Sequence, residues 1–158
     1  MIRPAIASIG IKECSFGERV KIIEPVNIYG AVLEDEVFVG PFVEIQKGVT
    51  IGNRTRIQSH TFICELVTIG ADCFIGHGVM FINDSFILGA PARGNTDLWR
   101  ETVLGDNVSV GSNATLLPVK IASNTVIGAG SVVVDDIEES GVYVGNPARR
   151  IRGIKDVC

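Results

Sequence analysis

The sequence has few aromatic residues (6%, with one tryptophan), little charge (20%) and only two histidines among its 158 residues. Its net charge of −4 excludes the strongly basic face that a nucleic-acid binder presents. No apolar run reaches the roughly 18 residues needed to cross a bilayer. The opening stretch MIRPAIASIGIKE places Arg3 and Pro4 where a signal peptide needs an unbroken apolar run, so a cytoplasmic protein is expected. Cys14, Cys64, Cys73 and Cys158 include no CxxC pair. That spacing excludes a disulfide framework and is poor for zinc, which leaves free, buried thiols as the expectation. What remains is a chain of one domain's length, residues 1–158, that is 46% hydrophobic and rich in glycine. It can bury a core, but not the aromatic-rich core of an ordinary αβ domain.

The missing bulk is replaced by a repeat. In steps of six from Leu33, the residues Val39, Ile45, Ile51, Ile57, Ile63, Ile69, Ile75 and Phe81 are all large and apolar. At 46% hydrophobic content, nine such residues in one phase arise by chance about once in a thousand. The fifth position of each unit is small or β-branched: Val37, Val43, Val49, Thr55, Thr61, Val67, Cys73, Val79 and Ser85. A period of six fits neither a helix nor a hairpin sheet. It fits short strands joined by tight corners, three to a coil, stacked at the inter-strand spacing into a parallel β-helix. The period lapses over residues 83–102, read as an excursion loop, and resumes at Leu104, Val110 and Leu116. It then skips one residue to Ile121 and runs on through Ile127 and Val133. With a coil in poorer register over residues 20–32, about six coils and little helix are expected.

The repeat, together with Gly145-Asn146-Pro147-Ala148-Arg149-Arg150-Ile151-Arg152, resembles the hexapeptide-repeat acyltransferases. That resemblance implies an all-β, left-handed parallel β-helix. The crossover rule for parallel strands would favour the opposite hand, so the hand comes from the resemblance alone. It also implies a homotrimer that binds acetyl-CoA between subunits, with no metal. The strings FVEIQKGVTIG (42–52), SHTFIC (59–64) and IGHGVMFIND (75–84) are similar to those of bacterial nucleotide-sugar N-acetyltransferases. Within these the similarity is to enzymes acetylating UDP-2-acetamido-3-amino-2,3-dideoxyglucuronate for surface polysaccharides such as O-antigen.

The coil period allows residues to be stacked. Lys47, Glu65 and Asn83 are 18 apart and share one outward corner in successive coils. His60 and His77, 17 apart, lie in adjacent coils, offset by one residue. An amine must be neutral to attack a thioester, and imidazole is the natural proton acceptor near neutral pH. His60 and Asn83 are the candidate catalytic residues, Asn83 as a group orienting the amine or polarising the carbonyl. The resemblance implies substrate contacts at Glu44, Lys47, His77 and Asp84, with a loop cation, Arg93 or Arg100, for diphosphate or carboxylate. It implies a pantetheine track at Gly111, Ser112, Asn113, Gly128 and Ala129, where small residues leave backbone amides open. Pro147 would pack on adenine, and Arg149 and Arg150 suit CoA phosphates, within a C-terminal element of residues 141–158.

Direct attack of the amine, without an acyl-enzyme, is expected, because no Ser or Cys stands beside a His in a nucleophile motif; Ser59 and His60 are neighbours, which in a strand point to opposite sides. Other readings remain. An O-acetyltransferase for serine, a saccharide or a xenobiotic would lean harder on a histidine base. A zinc carbonic anhydrase of this fold needs three histidines, and the chain has two. A non-catalytic β-helix scaffold needs neither the loop nor the C-terminal element.

Overall fold

The computed structural model describes Ala5 and residues 7–154. Cys158, and with it residues 155–158 of the expected C-terminal element, lies outside the described residues. The chain winds as a parallel β-solenoid with three faces. The first face stacks Ile11–Lys12, Asn27–Tyr29, Glu44–Ile45, Phe62–Ile63, Met80–Phe81, Thr115–Leu116 and Val132–Val133. The second stacks Ser15–Phe16, Val32–Leu33, Thr50–Ile51, Val67–Ile69, Thr102–Leu104 and Lys120–Ile121. The third stacks Lys21–Ile22, Phe38–Val39, Arg56–Ile57, Phe74–Ile75, Ser109–Val110, Val126–Ile127 and Val142–Val144, with Arg149–Arg152 closing it as an antiparallel strand.

The hexad sets this shape. In each two-residue strand from Val32–Leu33 onward the leading aliphatic points inward, and Ile45, Ile51, Ile57, Ile63 and Ile75 have no exposed surface. Each such burial is worth about 1.5–3 kcal/mol. Register repeats them coil on coil: Ile28 pairs with Ile45, Ile45 with Ile63, and Ile57 with Ile75. The fifth-position residues Val37 to Val79 are buried as well, whereas Ser85 is exposed because the loop has begun. Where that inner position is threonine, a backbone carbonyl takes its hydroxyl: Thr55 donates to Gly70 (2.8 Å) and Thr61 to Gly76 (3.0 Å).

The stack has about seven turns rather than six. The difference lies at the passage from the first face to the second. Ile45 to Ile51 spans six residues, but Ile28 to Leu33 spans five, as does Leu116 to Ile121. One residue missing from a corner shifts the hexad phase without breaking the stack, which blurred the N-terminal coils in the sequence. The loop runs from Asn83 to Glu101, because Thr102 already pairs with Val67. It is closed at its base by the Arg100 N–H donating to the Asn83 carbonyl (2.9 Å) and carries one 3-10 turn, Thr96–Leu98.

Candidate functional site

Passing from the third face to the first, five coils make the same tight corner: Pro41-Phe42, Ser59-His60, His77-Gly78, Ser112-Asn113 and Ala129-Gly130. The second residue of each is left-handed, with φ between 58° and 67°, a conformation that favours glycine and asparagine. A backbone ladder joins the corners. His60 N–H donates to Pro41 (3.2 Å), Gly78 to Ser59 (3.0 Å), Asn113 to His77 (2.8 Å) and Gly130 to Ser112 (2.9 Å). The coils approach so closely that a Cβ on Gly76 would stand 2.7 Å from the Ser112 nitrogen. This edge therefore carries both histidines and the small residues Gly111, Ser112, Asn113, Gly128 and Ala129 in one column, with Pro147 beyond Gly145 at its C-terminal end.

Within that column the two histidines differ. The His60 ring stacks on Phe42 with centroids 4.9 Å apart, facing away from the small residues. His77 lies one coil nearer to them, and its Nδ1 is 2.9 Å from Ser59 Oγ. Ser59 and Phe42, the partners of the two histidines, are not among the residues expected from the sequence. The signal was the 18-residue spacing from Ser59 to His77, the same step that stacked Lys47 on Glu65.

Asn83, Asp84, Lys47 and Arg93 lie elsewhere, at the edge between the first and second faces or on the loop that leaves it. The stacking of Asn83 on Glu65 is direct: the Asn83 amide donates to the Glu65 carbonyl (3.3 Å). Lys47 is exposed, and no ion pair joins it to Glu65 among the described residues. Asp84 holds the loop together, its carboxylate accepting from Phe86 N–H (3.0 Å) and Ala92 N–H (2.7 Å). Arg100 donates to the carbonyls of Asp97 and Trp99 (2.8 Å each), so Arg93 is the exposed loop cation without a partner among the described residues.

Between the loop and the outer surface of the first face runs an open groove of ≈ 450 Å³, lined by Gln46, Phe62, Ile82, Asn83, Phe86 and Trp99. Glu44 on the same face accepts from Gln46 (3.0 Å). Burial, then the nearby Glu44 and Glu65, pushes the Tyr29 hydroxyl above its ordinary range, so it stays neutral there. The width of the first face separates this groove from the histidine column, so one chain does not bring His60 and Asn83 together.

At the C-terminal end the two arginines diverge. Arg149 reaches Asp135 (3.4 Å), and Arg150 donates to the Ser140 carbonyl (3.4 Å). Burial pushes the Cys64 thiol up to about 12 and raises Cys73 as well, which keeps both in the thiol form. Among the described residues no group of three His, Cys, Asp or Glu gathers as a metal site, and no helix is long and apolar enough to cross a membrane.

This architecture has known relatives. Residues 30–65 match the family model of the bacterial transferase hexapeptide (six repeats). Residues 66–91 and 101–135 match the hexapeptide repeat of succinyl-transferase. The two together cover more than half of the chain and are interrupted only within the loop. The bifunctional protein GlmU of Thermosipho africanus is 30% identical over 159 residues, covering 89% of this chain and 32% of the relative. The chain thus spans about a third of the length of the curated relatives it matches. A hexapeptide-repeat-containing acetyltransferase of Vibrio cholerae, solved with acetyl coenzyme A, superposes with a TM-score of 0.71 at 28% identity, over 80% of this chain and 72% of that one. Soybean serine acetyltransferase complexed with serine gives a TM-score of 0.58 at 30% identity, over 69% of this chain and 42% of that one.

Proposed function

We propose that this chain, which belongs to the hexapeptide-repeat transferases, moves the acetyl group of acetyl-CoA onto the C3 amine of a UDP-linked amino sugar. The substrate is UDP-2-acetamido-3-amino-2,3-dideoxyglucuronate or a near relative, in bacterial surface-polysaccharide synthesis. The observation that carries the reading is the column of small corners from His77 through Ser112 to Ala129, with Val144 packed over Gly128 at its end and Pro147 beyond it. Stacked corners without large side chains leave a track along which an extended chain with two amides, such as pantetheine, can lie. Gly111, Ser112, Asn113, Gly128 and Ala129 form that track. Pro147 packs the adenine, and Arg149, held by Asp135 and the Ala148 carbonyl, and Arg150, held by the Ser140 carbonyl, swing to meet the phosphates.

The amine attacks the thioester directly, through a tetrahedral intermediate. The acceptor occupies the loop groove, with Asn83 orienting the amine, Glu44 and Lys47 flanking the sugar, Asp84 shaping the mouth and Arg93 meeting its negative charge. The working enzyme is, as the family resemblance implies, a cytoplasmic homotrimer; its sites join the groove of one protomer to the track of its neighbour, which lie on different edges of a single chain.

The test measures thiol released from acetyl-CoA with and without this nucleotide sugar, followed by mass spectrometry of the sugar. Sugar-dependent release and a product heavier by one acetyl group are expected. Release without a heavier sugar overturns the acceptor, and neither release nor CoA binding overturns the enzyme and favours a scaffold. A hydroxyl acceptor is the second reading, because an alcohol needs firmer deprotonation than an amine and a hydroxyl-paired histidine stands beside the track. Serine in place of the sugar in the same assay separates the two.

A further inference from the structure

We infer that Ser59 is a positioning residue for the proposed transfer: it accepts a hydrogen bond from His77 Nδ1–H and so leaves His77 Nε2 open to take the proton of the attacking amine. The inference rests on the acetyltransferase reading and gives His77, expected as a substrate contact, the proton-accepting role expected of His60.

Three observations carry it. First, His77 is the histidine next to the track. Its carbonyl accepts from Asn113 N–H at 2.8 Å, whereas His60 is one coil farther away with its ring laid on Phe42. Second, Ser59 Oγ has His77 Nδ1, at 2.9 Å, as its one hydrogen-bond partner among the described residues. Third, a hydroxyl oxygen serves both states of the ring. Nδ1–H donates to it when Nε2 is bare and still donates when Nε2 is protonated, so the ring keeps its orientation through a proton transfer.

In the step itself the amine nitrogen bonds to the thioester carbonyl carbon and one amine proton passes to His77 Nε2. The C–S bond then breaks and the departing thiolate takes that proton. The products are the acetamido sugar and the CoA thiol, and His77 is again neutral.

The experiment records nitrogen-15 spectra of the His77 ring in the full chain, in Ser59→Ala and in Ser59→Thr. The same proteins are assayed with acetyl-CoA and UDP-2-acetamido-3-amino-2,3-dideoxyglucuronate. The wild type and Ser59→Thr should carry the ring proton on Nδ1, and Ser59→Ala should lose that preference. A kcat loss of about tenfold is expected for Ser59→Ala and about a hundredfold or more for His77→Gln, with KM for acetyl-CoA within about twofold, since proton transfer contributes 10²–10⁴ in rate. His60→Gln should lose less than His77→Gln, and Ser59→Thr should recover most of the rate.

A wild-type His77 protonated on Nε2 overturns the inference, as does unchanged kcat in Ser59→Ala. Acetylated Ser59 in the mass spectrum overturns it by making Ser59 a nucleophile. If the wild type releases no thiol, the acetyltransferase reading falls and takes this role with it. If thiol is released while the tautomer is wrong, only this inference falls.

Discussion

The edge between the second and third faces and the edge between the third and first are built from the same left-handed corner, yet they hold their coils together differently. On the former the left-handed residues are Arg19, Glu36, Arg54, Asp72, Asn107 and Asn124, all polar. Their side chains bridge coil to coil: Arg19 to Glu36 (2.8 Å), Arg54 to Asp72 (2.6 Å) and Asn107 to Asn124 (2.8 Å). The residue before them caps the coil below. Asp35 accepts from Glu18 N–H, Asn53 from Asp35 N–H and Asp106 from Ala71 N–H. On the latter edge the left-handed residues are Phe42, His60, Gly78, Asn113 and Gly130. Beyond the Phe42–His60 stack and the Ser59–His77 bond, backbone ladders alone tie these corners together. The first edge satisfies itself with side chains. From Gly78 onward the second keeps its surface small, as an edge must if a ligand is to lie along it.

The sharpest way to break this contrast is at the glycines that let the coils close. Gly76→Ala places a Cβ 2.7 Å from the Ser112 nitrogen and 2.8 Å from the Val110 carbonyl oxygen, both backbone. Overpacking of this kind costs about 1–3 kcal/mol, and denaturant unfolding should show it together with a raised KM for acetyl-CoA. Next comes Ala129→Trp, on an exposed corner of the track. It should weaken acetyl-CoA binding about tenfold, near 1.4 kcal/mol, with an unchanged unfolding midpoint. Asn124→Trp, on the self-bridged edge, should leave that affinity as it was, and calorimetry checks both.

A smaller effect is expected from Asn53→Ala, which removes the acceptor of the Asp35 N–H. Net hydrogen bonds are worth about 1 kcal/mol, so the loss should appear in stability and not in turnover. The smallest concerns Asp72. The Arg54 guanidinium hydrogen-bonded to it holds its carboxyl below the ordinary 3.8. A depressed folded pKa stabilises the fold above the unfolded value, and the contribution disappears as pH falls through the folded one. The stability difference between wild type and Arg54→Met should therefore be flat from pH 6 to 8 and shrink below about pH 4. Added salt should shrink it too, because both groups are exposed.

Much of this was legible in the residues. The inward column from Leu33 to Phe81, the excursion beginning at Asn83 and the stacking of Asn83 on Glu65 follow from a period of six multiplied by three. The number of turns was not, because the five-residue corners between Ile28 and Leu33 and between Leu116 and Ile121 shift the phase without changing the composition. The role of Asp84 was hidden as well. An aspartate at the mouth of a loop reads as a ligand group until its oxygens are found on the amides of Phe86 and Ala92. Arg149 and Arg150 are adjacent in sequence, but on an extended strand neighbours point to opposite sides, so they reach different groups.

The residues alone set the coil, because a period-six pattern of aliphatics fills a three-sided interior, and they mark which residues stand at corners. They could not decide which corner side chains meet. Neighbouring coils are offset by 17 or 18 residues according to the length of one corner, and a one-residue offset exchanges the partner of His77 from His60 to Ser59. Only the stacked backbone resolves that offset, since inter-coil hydrogen bonds fix the register of every corner at once. The hydroxyl beside His77, the ring of His60 on Phe42 and the separation of the loop groove from the CoA track are therefore tertiary facts.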